Sequence, residues 1–269
     1  MKKRDWKHHL YFKGHLDCLY FYSKYIKAIS RFIKNKEIAT KIHVENGTFV
    51  SSFLRRGSKD EPLFVKELKR KNLSKKFFEL RTAYKRHEAI EKKLLTKTQE
   101  KIWLYFPQNK PVEFFYATNS EHPNKPIERI FIDIDRTNLS KEIAKKVAKA
   151  LIQEIKNDKA FNKIFKHKIK VLFTGSSYHV YLILKKPVSH SFYQDYIAFG
   201  KNEHISFISK WARSISKKTK IPVTRGHKKT HNVIILDPSG TPSGKLARAP
   251  FSVHIKDKKI DGFAELVKL

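Results

Sequence analysis

Four short apolar runs, each bounded by polar or turn-forming residues, most constrain how this chain can fold. They read ERIFIDID (128–135), IKVLFTG (169–175), YHVYLILK (178–185) and VIIL (233–236). Runs of this length and character are typical of buried strands. Between the first two, residues 139–155 place apolar side chains at i,i+4 spacing, which predicts an amphipathic helix with Ser140 as its N-cap. Residues 190–218 are also mostly helical, so the order predicts an α+β fold with a mixed or antiparallel sheet flanked by helices.

The N-terminal part, residues 1–110, is predicted to be a helical and hairpin region. Residues 16–34 have dense apolar positions at helical spacing, and Asn46-Gly47 between two β-rich runs predicts a hairpin. The lysine-rich stretch 61–95 has helical periodicity with a break near Leu73-Ser74. The remaining residues, 111–269, carry the motifs described below, and we expect the two parts to form one continuous domain.

The charge balance favours a polyanionic partner. The chain has 58 Lys and Arg against 25 Asp and Glu, a formal net charge of +33. Nucleic acid is the usual partner of such a basic globular chain. No apolar run approaches the length of a membrane-spanning helix and no signal peptide is recognised, so we expect an intracellular protein of the cytoplasm or nucleoid without a membrane partner. The single cysteine, Cys18, argues against a zinc or iron–sulfur site within the chain.

In this basic chain, two carboxylates one residue apart end the first apolar run. Residues i and i+2 of a strand point to the same face, so Asp133 and Asp135 should project together. Two carboxylates this close repel each other unless they are protonated or bind a cation, and Mg²⁺ or Mn²⁺ prefers such oxygen ligands. The alternative is an ordinary strand end, at which both side chains are solvated or cap the next helix.

Three further motifs carry candidate functional groups. The loop Gly175–Ser177 between two strands presents backbone N–H groups and hydroxyls that can bind phosphate, and His179 follows it. Asp237 ends the run VIIL and is either a third metal ligand or the first residue of a turn before Pro238. Arg248 and His254 flank a Pro-Phe-Ser element in RAPFSVH.

Taken in order, FIDID, FTGSSYH, IILD and RAPFSVH resemble the motifs of the catalytic small subunit of archaeal and eukaryotic DNA primases, within the archaeo-eukaryotic primase superfamily. The resemblance covers roughly residues 40 to 265 and implies a primase-polymerase catalytic core. That family commonly has a cysteine-rich zinc insertion after the acidic pair, whereas residues 136–174 contain no cysteine. The chain therefore resembles a minimal form without the zinc insertion.

The resemblance implies a nucleotidyltransferase that makes primers on single-stranded DNA from NTPs or dNTPs, with a large primase subunit or accessory domain as a candidate partner. Asp133, Asp135 and Asp237 would be the catalytic residues and would bind two Mg²⁺ or Mn²⁺ ions. The residues implied to contact the nucleotide are Ser176, Ser177, His179, Arg248 and His254. Four lysines of the lysine-rich stretch either contact the template or simply solvate a helix face; they are Lys69, Lys71, Lys75 and Lys76. Two other functions stay open: a metal-dependent nuclease, and a basic nucleic-acid-binding replication protein without catalytic activity.

Overall fold

A computed structural model describes residues 6–46, 49–84, 94–198, 206–226, 231–256 and 259–269. Two short 3₁₀ turns, Lys7–Leu10 and Val65–Glu67, accompany the α-helices. The helices are α1 (Cys18–Ile33), α2 (Lys75–Ala83), α3 (Lys97–Tyr105), α4 (Lys141–Asn157), α5 (Lys159–Ile164), α6 (His190–Tyr196) and α7 (Phe207–Thr219).

The strands are mostly short and lie in four sheets, two of which are two-stranded. In chain order they are β1 (Tyr11–Phe12), β2 (His15–Leu16), β3 (Ile38–Asn46), β4 (Phe49–Arg56), β5 (Val112–Ala117), β6 (Ile127–Asp135), β7 (His167–Phe173), β8 (Tyr178–Val188), β9 (Val223–Arg225), β10 (Ile234–Asp237), β11 (Leu246–Arg248), β12 (Val253–Lys256), β13 (Lys259–Phe263) and β14 (Glu265–Val267).

One compact unit comprises Met1–Ala117 and Arg248–Ala264. Its larger sheet contains β5, β3 and β4 in that order, and β3 pairs antiparallel with both β4 and β5. The β3–β4 pairing extends to Asn46 opposite Phe49, which confirms the predicted hairpin, although its connecting residues lie outside the described ranges. Helix α1 buries a face that includes Leu19 and Ile29, as expected from its apolar periodicity.

The lysine-rich stretch divides at the predicted break, but its first half is not the α-helix that the periodicity predicted: before Ser74 it forms only the 3₁₀ turn Val65–Glu67. Helix α2 begins after Ser74, whose hydroxyl accepts a hydrogen bond from the Phe77 N–H at 3.2 Å. This capping bond satisfies one of the N–H groups that a helix leaves unpaired at its start. The end of the predicted helical stretch, residues 85–93, lies outside the described part of the chain.

The second compact unit comprises Thr118–Ala247 and Glu265–Leu269. Its six-stranded sheet has the order β14-β7-β8-β6-β10-β9, in which only the β9–β10 pair is parallel. Helices α4 and α7 pack together and supply Val147, Leu151 and Trp211 to a core shared with this sheet. The mixed sheet with flanking helices confirms the predicted fold class.

Helix α4 follows the local rules that predicted it. Ser140 accepts a hydrogen bond from the Ile143 N–H at 3.2 Å, and Ala144, Val147 and Leu151 form part of its fully buried face. Burying each large apolar side chain stabilises the fold by about 1.5–3 kcal/mol. Burial of this face therefore fixes the helix against the sheet. Within the described ranges, no helix combines the length and apolar character needed to cross a bilayer.

Candidate active site

Three polar side chains lie in a row across the middle of the six-stranded sheet. Asp133 on β6 is directly opposite Asp237 on β10, and on its other side it is directly opposite His179 on β8. Directly opposed residues of antiparallel strands point to the same face. We call Asp237, Asp133 and His179 the polar row. The Asp133 side chain is 38% exposed and that of His179 is 13% exposed, so the carboxylate reaches solvent.

Strand alternation explains why these groups leave the core. Ile132 and Ile134 on β6, and Leu236 on β10, belong to the hydrophobic core on the other face of the sheet. Asp133 and Asp135 alternate with these isoleucines and therefore share the polar face. The predicted geometry of the acidic pair is thus realised, and Asp237 is brought to the same face by the β6–β10 register.

His179 is held on the polar face by its neighbours. Its Nε2 lies 3.5 Å from Asp133 Oδ1 and its Nδ1 lies 3.3 Å from the Tyr181 hydroxyl. The Phe131 ring packs edge-on against the imidazole, with 4.8 Å between ring centroids. These contacts fix the imidazole beside the carboxylate. The nucleotide-binding role of His179 stays a prediction.

The loop that joins β7 to β8 is held tightly against β6. The Thr174 amide and hydroxyl both donate to the Ser177 carbonyl, at 2.9 and 3.1 Å. Ser177 is buried, and its hydroxyl donates to the Ile134 carbonyl. Arg136, which sequence reasoning did not single out, donates from Nε to the Ser176 carbonyl at 3.0 Å. The loop is therefore anchored next to the acidic pair, while nucleotide contact by Ser176 and Ser177 stays a prediction.

Two of the carboxylates also stabilise turns. Asp135 Oδ1 accepts a hydrogen bond from the Thr137 N–H at 2.9 Å, and Asp237 Oδ1 accepts one from the Ser239 N–H at 2.8 Å. Such bonds are typical of Asp at the start of a turn. The turn role that the sequence left open for Asp237 is thus present, Asp135 makes a similar bond, and each bond uses one of the two carboxylate oxygens.

The chemistry of the donor set fits a divalent cation. Asp133, Asp135 and Asp237 supply carboxylate oxygens from two neighbouring strands on one face, and Mg²⁺ and Mn²⁺ prefer such ligands. Among the described residues, however, no three acidic, histidine or cysteine side chains are already gathered into a metal-binding group. The backbone places the ligands, and their side chains would have to turn toward a bound ion.

Arg248 and His254 belong to the other compact unit. Arg248 Nη1 lies 2.5 Å from Glu113 Oε1 and donates to the Val253 carbonyl at 2.9 Å. Glu113 Oε2 in turn lies 3.0 Å from His43 Nε2. His254 is on β12, opposite Gly262 of β13. The predicted phosphate contacts of Arg248 and His254 stay predictions, and the buried partner Glu113 was not identified from the sequence.

The pKa of Glu113 reflects this ion pair. Burial alone would raise the pKa, but the hydrogen bond from His43 and the positive charge of Arg248 outweigh burial, and the pKa is lowered. A carboxyl group with a lowered pKa in the folded state contributes stability above its unfolded pKa of about 4.3. That contribution to stability is lost as the pH falls through the lower pKa that Glu113 has in the folded protein.

Replacing Glu113 with Gln should remove this acid-dependent contribution. At pH 7 we expect a loss of about 2 kcal/mol in the free energy of unfolding, because Arg248 loses its charged partner. As the pH falls below about 4, the wild type should approach the variant. Urea unfolding between pH 3 and pH 7 measures the difference, with Glu45→Gln at an exposed position of β3 as control. The prediction would be wrong if the free energy of unfolding depended on pH equally in Glu113→Gln and in the wild type.

Comparisons with known proteins give one line of structural evidence. No protein-family model and no curated protein matches the sequence. Among solved structures, the fold is similar to the polymerase domain of Mycobacterium tuberculosis ligase D in complex with DNA, with a TM-score of 0.55 and 14% identity. The match covers 93% of this chain and 80% of that chain. At this identity the likeness concerns the fold alone, and it agrees with the expected α+β fold.

Proposed function

We propose that this chain is a template-directed nucleotidyltransferase, a primase or primase-polymerase that makes short primers on single-stranded DNA from nucleoside triphosphates. The observation that carries the proposal is the polar row, in which Asp133 stands between Asp237 and His179. The order of the four sequence motifs, the polymerase-type fold and the net charge of +33 support it. The protein would act inside the cell, and a large primase subunit is a candidate partner.

In the proposed reaction, a 3′ hydroxyl attacks the α-phosphate of the incoming nucleotide and pyrophosphate leaves. Mg²⁺ or Mn²⁺, when held by Asp133, Asp135 and Asp237, would neutralise charge on the phosphates. His179, fixed beside Asp133, would donate a hydrogen bond to a phosphate oxygen. The resemblance to primases adds further contacts to the triphosphate from Ser176, Ser177, Arg248 and His254.

A synthesis assay on single-stranded template tests the proposal directly. The protein is incubated with labelled NTPs or dNTPs and with Mg²⁺ or Mn²⁺, and both new strands and released pyrophosphate are measured. We expect template-dependent products in the presence of either metal. Degradation of the DNA without added nucleotides would instead identify a metal-dependent nuclease.

A second candidate is a nucleic-acid-binding replication protein without catalytic activity. It is favoured by the turn bonds of Asp135 and Asp237, since both carboxylates have a structural role without any metal. This candidate predicts tight binding of single-stranded DNA and no pyrophosphate release with any metal. The same assay separates it from the proposed enzyme.

We further propose that the exposed lysines at and before the start of α2 contact the template. Replacing all four with Ala should weaken binding of single-stranded DNA and flatten its salt dependence. Each lost phosphate contact should reduce the slope of log K against log salt by about 0.7. The measurement is fluorescence anisotropy at several salt concentrations. The four residues are Lys69, Lys71, Lys75 and Lys76, all exposed.

A second variant that lacks four lysines elsewhere has the same net charge, so it shows how much of the effect comes from lower net charge alone. Replacing four of the exposed lysines of helix α4, in the other compact unit, removes the same charge. If both variants change the slope equally, the lysines near α2 have no specific contact with the template. The control residues are Lys145, Lys146, Lys149 and Lys156.

A further inference from the structure

The segment directly after Asp237 is fixed to strand β6 by side chains, although β10 has ended. Strand pairing between β10 and β6 stops at Asp237 opposite Asp133. Beyond this point the chain turns through Pro238 to Thr241, where the Thr241 N–H donates to the Pro238 carbonyl at 2.9 Å. The turn would leave the next part of the β6 edge without a backbone partner from β10.

Thr241 supplies the missing partner. Its hydroxyl accepts a hydrogen bond from the Phe131 N–H at 2.9 Å and donates to the Phe131 carbonyl at 3.0 Å. Phe131 lies two residues before Asp133 on the same strand face. Thr241 is completely buried. One side-chain hydroxyl therefore takes the place of a backbone residue in the ladder, next to the polar row.

Asn119 fixes Thr241 and the same strand edge together. Its side-chain oxygen accepts from the N–H groups of Glu128 and Arg129, at 2.8 and 3.0 Å. Its side-chain nitrogen donates to the carbonyls of Arg129 and Thr241, at 2.9 and 2.5 Å. An amide side chain has two donor hydrogens and two acceptor lone pairs, so this buried group is fully used.

The turn also fits closely against the ring beside His179. A Cβ atom added to Gly240 would lie 2.5 Å from two carbon atoms of the Phe131 ring. The turn is held from another side by Tyr193, whose hydroxyl donates to the Pro238 carbonyl at 2.8 Å. Backbone, ring and hydroxyl contacts thus converge on the few residues that follow Asp237.

We propose that Thr241 is a positioning residue that keeps Asp237 opposite Asp133 for binding of a divalent cation; this inference rests on the proposed function. Without the hydroxyl, the N–H and carbonyl of Phe131 would both lose a buried partner. The end of the β6–β10 pair would then separate, and the two carboxylates would no longer be held at one distance. Groups that orient metal ligands typically change metal affinity 10- to 100-fold when they are removed.

The test is the affinity of the protein for Mn²⁺, measured without nucleotide or DNA from the electron paramagnetic resonance signal of free Mn²⁺. Thr241→Val keeps the side-chain shape and should weaken Mn²⁺ binding at least about tenfold. Thr241→Ser keeps a hydroxyl group at this position and should bind Mn²⁺ about as tightly as the wild type. Thr241→Cys, with a weaker donor, should give an intermediate loss and serves if Thr241→Val does not fold.

Thr40→Val is the matched control, because Thr40 is also fully buried and its hydroxyl donates to a backbone carbonyl, that of Tyr105, at 2.6 Å. It removes one buried hydrogen bond where Thr241→Val removes two, so it should lower the urea midpoint by a smaller amount and leave Mn²⁺ affinity unchanged. If wild-type binding depends on Asp133 but Thr241→Val binds within about twofold of wild type, the inference is wrong and the proposed function stands. If the wild type does not bind Mn²⁺, or Asp133→Asn binds equally well, the proposed metal site is wrong and the inference falls with it.

Discussion

Replacing Asp133 with Asn is expected to reduce primer synthesis on the order of 10³-fold while single-stranded DNA binding persists. The substitution keeps the shape of the side chain and removes only its charge. A ligand that helps to hold the catalytic cation contributes several kcal/mol to transition-state stabilisation, which corresponds to this loss of rate. Binding should persist because it depends on the net charge of +33, which loses none of its positive groups.

The same loss of primer synthesis is expected when the carboxylate opposite Asp133 is replaced. Asp237→Asn should show a comparable loss, since Asp237 faces Asp133 across the β6–β10 pair. Asp195→Asn, at an exposed carboxylate of α6 in the same unit, should retain wild-type synthesis. Initial rates of labelled product formation at saturating nucleotide measure all three variants. Near wild-type synthesis by Asp133→Asn would show that the polar row is not the catalytic site.

The parts of the fold that follow from local sequence were predictable. The apolar positions of α4 recur at helical spacing and Ser140 has the residue type of an N-cap, so the helix and its start follow from nearby residues alone. The same is true of the projection of Asp133 and Asp135 from one strand face, since alternation along a strand needs no knowledge of its neighbours.

The parts that depend on register were not predictable. Which residue lies opposite Asp133 is decided by the pairing of three strands that are distant in sequence. The Thr241 hydroxyl bonds to a residue 110 positions away, and the Asn119 amide bonds to Thr241 across 122 positions. A single Thr in a turn-rich segment has no local pattern that marks such a contact. The only available signal was its position shortly after Asp237.

The same limit applies to the most deeply buried ion pair among the described residues. Arg81 on α2 donates from Nε and Nη2 to the two carboxylate oxygens of Asp17, at 2.8 and 3.0 Å, and both side chains are completely buried. Nη2 also donates to the Phe106 carbonyl at 2.7 Å. Asp17 Oδ1 accepts the N–H of Leu19 and caps α1. The pair therefore joins the start of α1 to α2 and to the end of α3.

Replacing Arg81 with Met should lower the free energy of unfolding by about 3–5 kcal/mol. The Met side chain fills much of the same space, but the buried Asp17 carboxylate loses its charged partner, and an uncompensated buried charge is costly. The double variant Asp17→Asn with Arg81→Met should be more stable than Arg81→Met alone, because Asn can still cap α1 and no charge remains buried.

Lys75→Ala provides the control, since the Lys75–Glu79 pair is largely exposed and 3.9 Å apart, and its loss should not be measurable. Urea unfolding followed by circular dichroism gives all the values. A double variant no more stable than Arg81→Met would show that the cost arises from lost packing around the guanidinium rather than from the unpaired carboxylate.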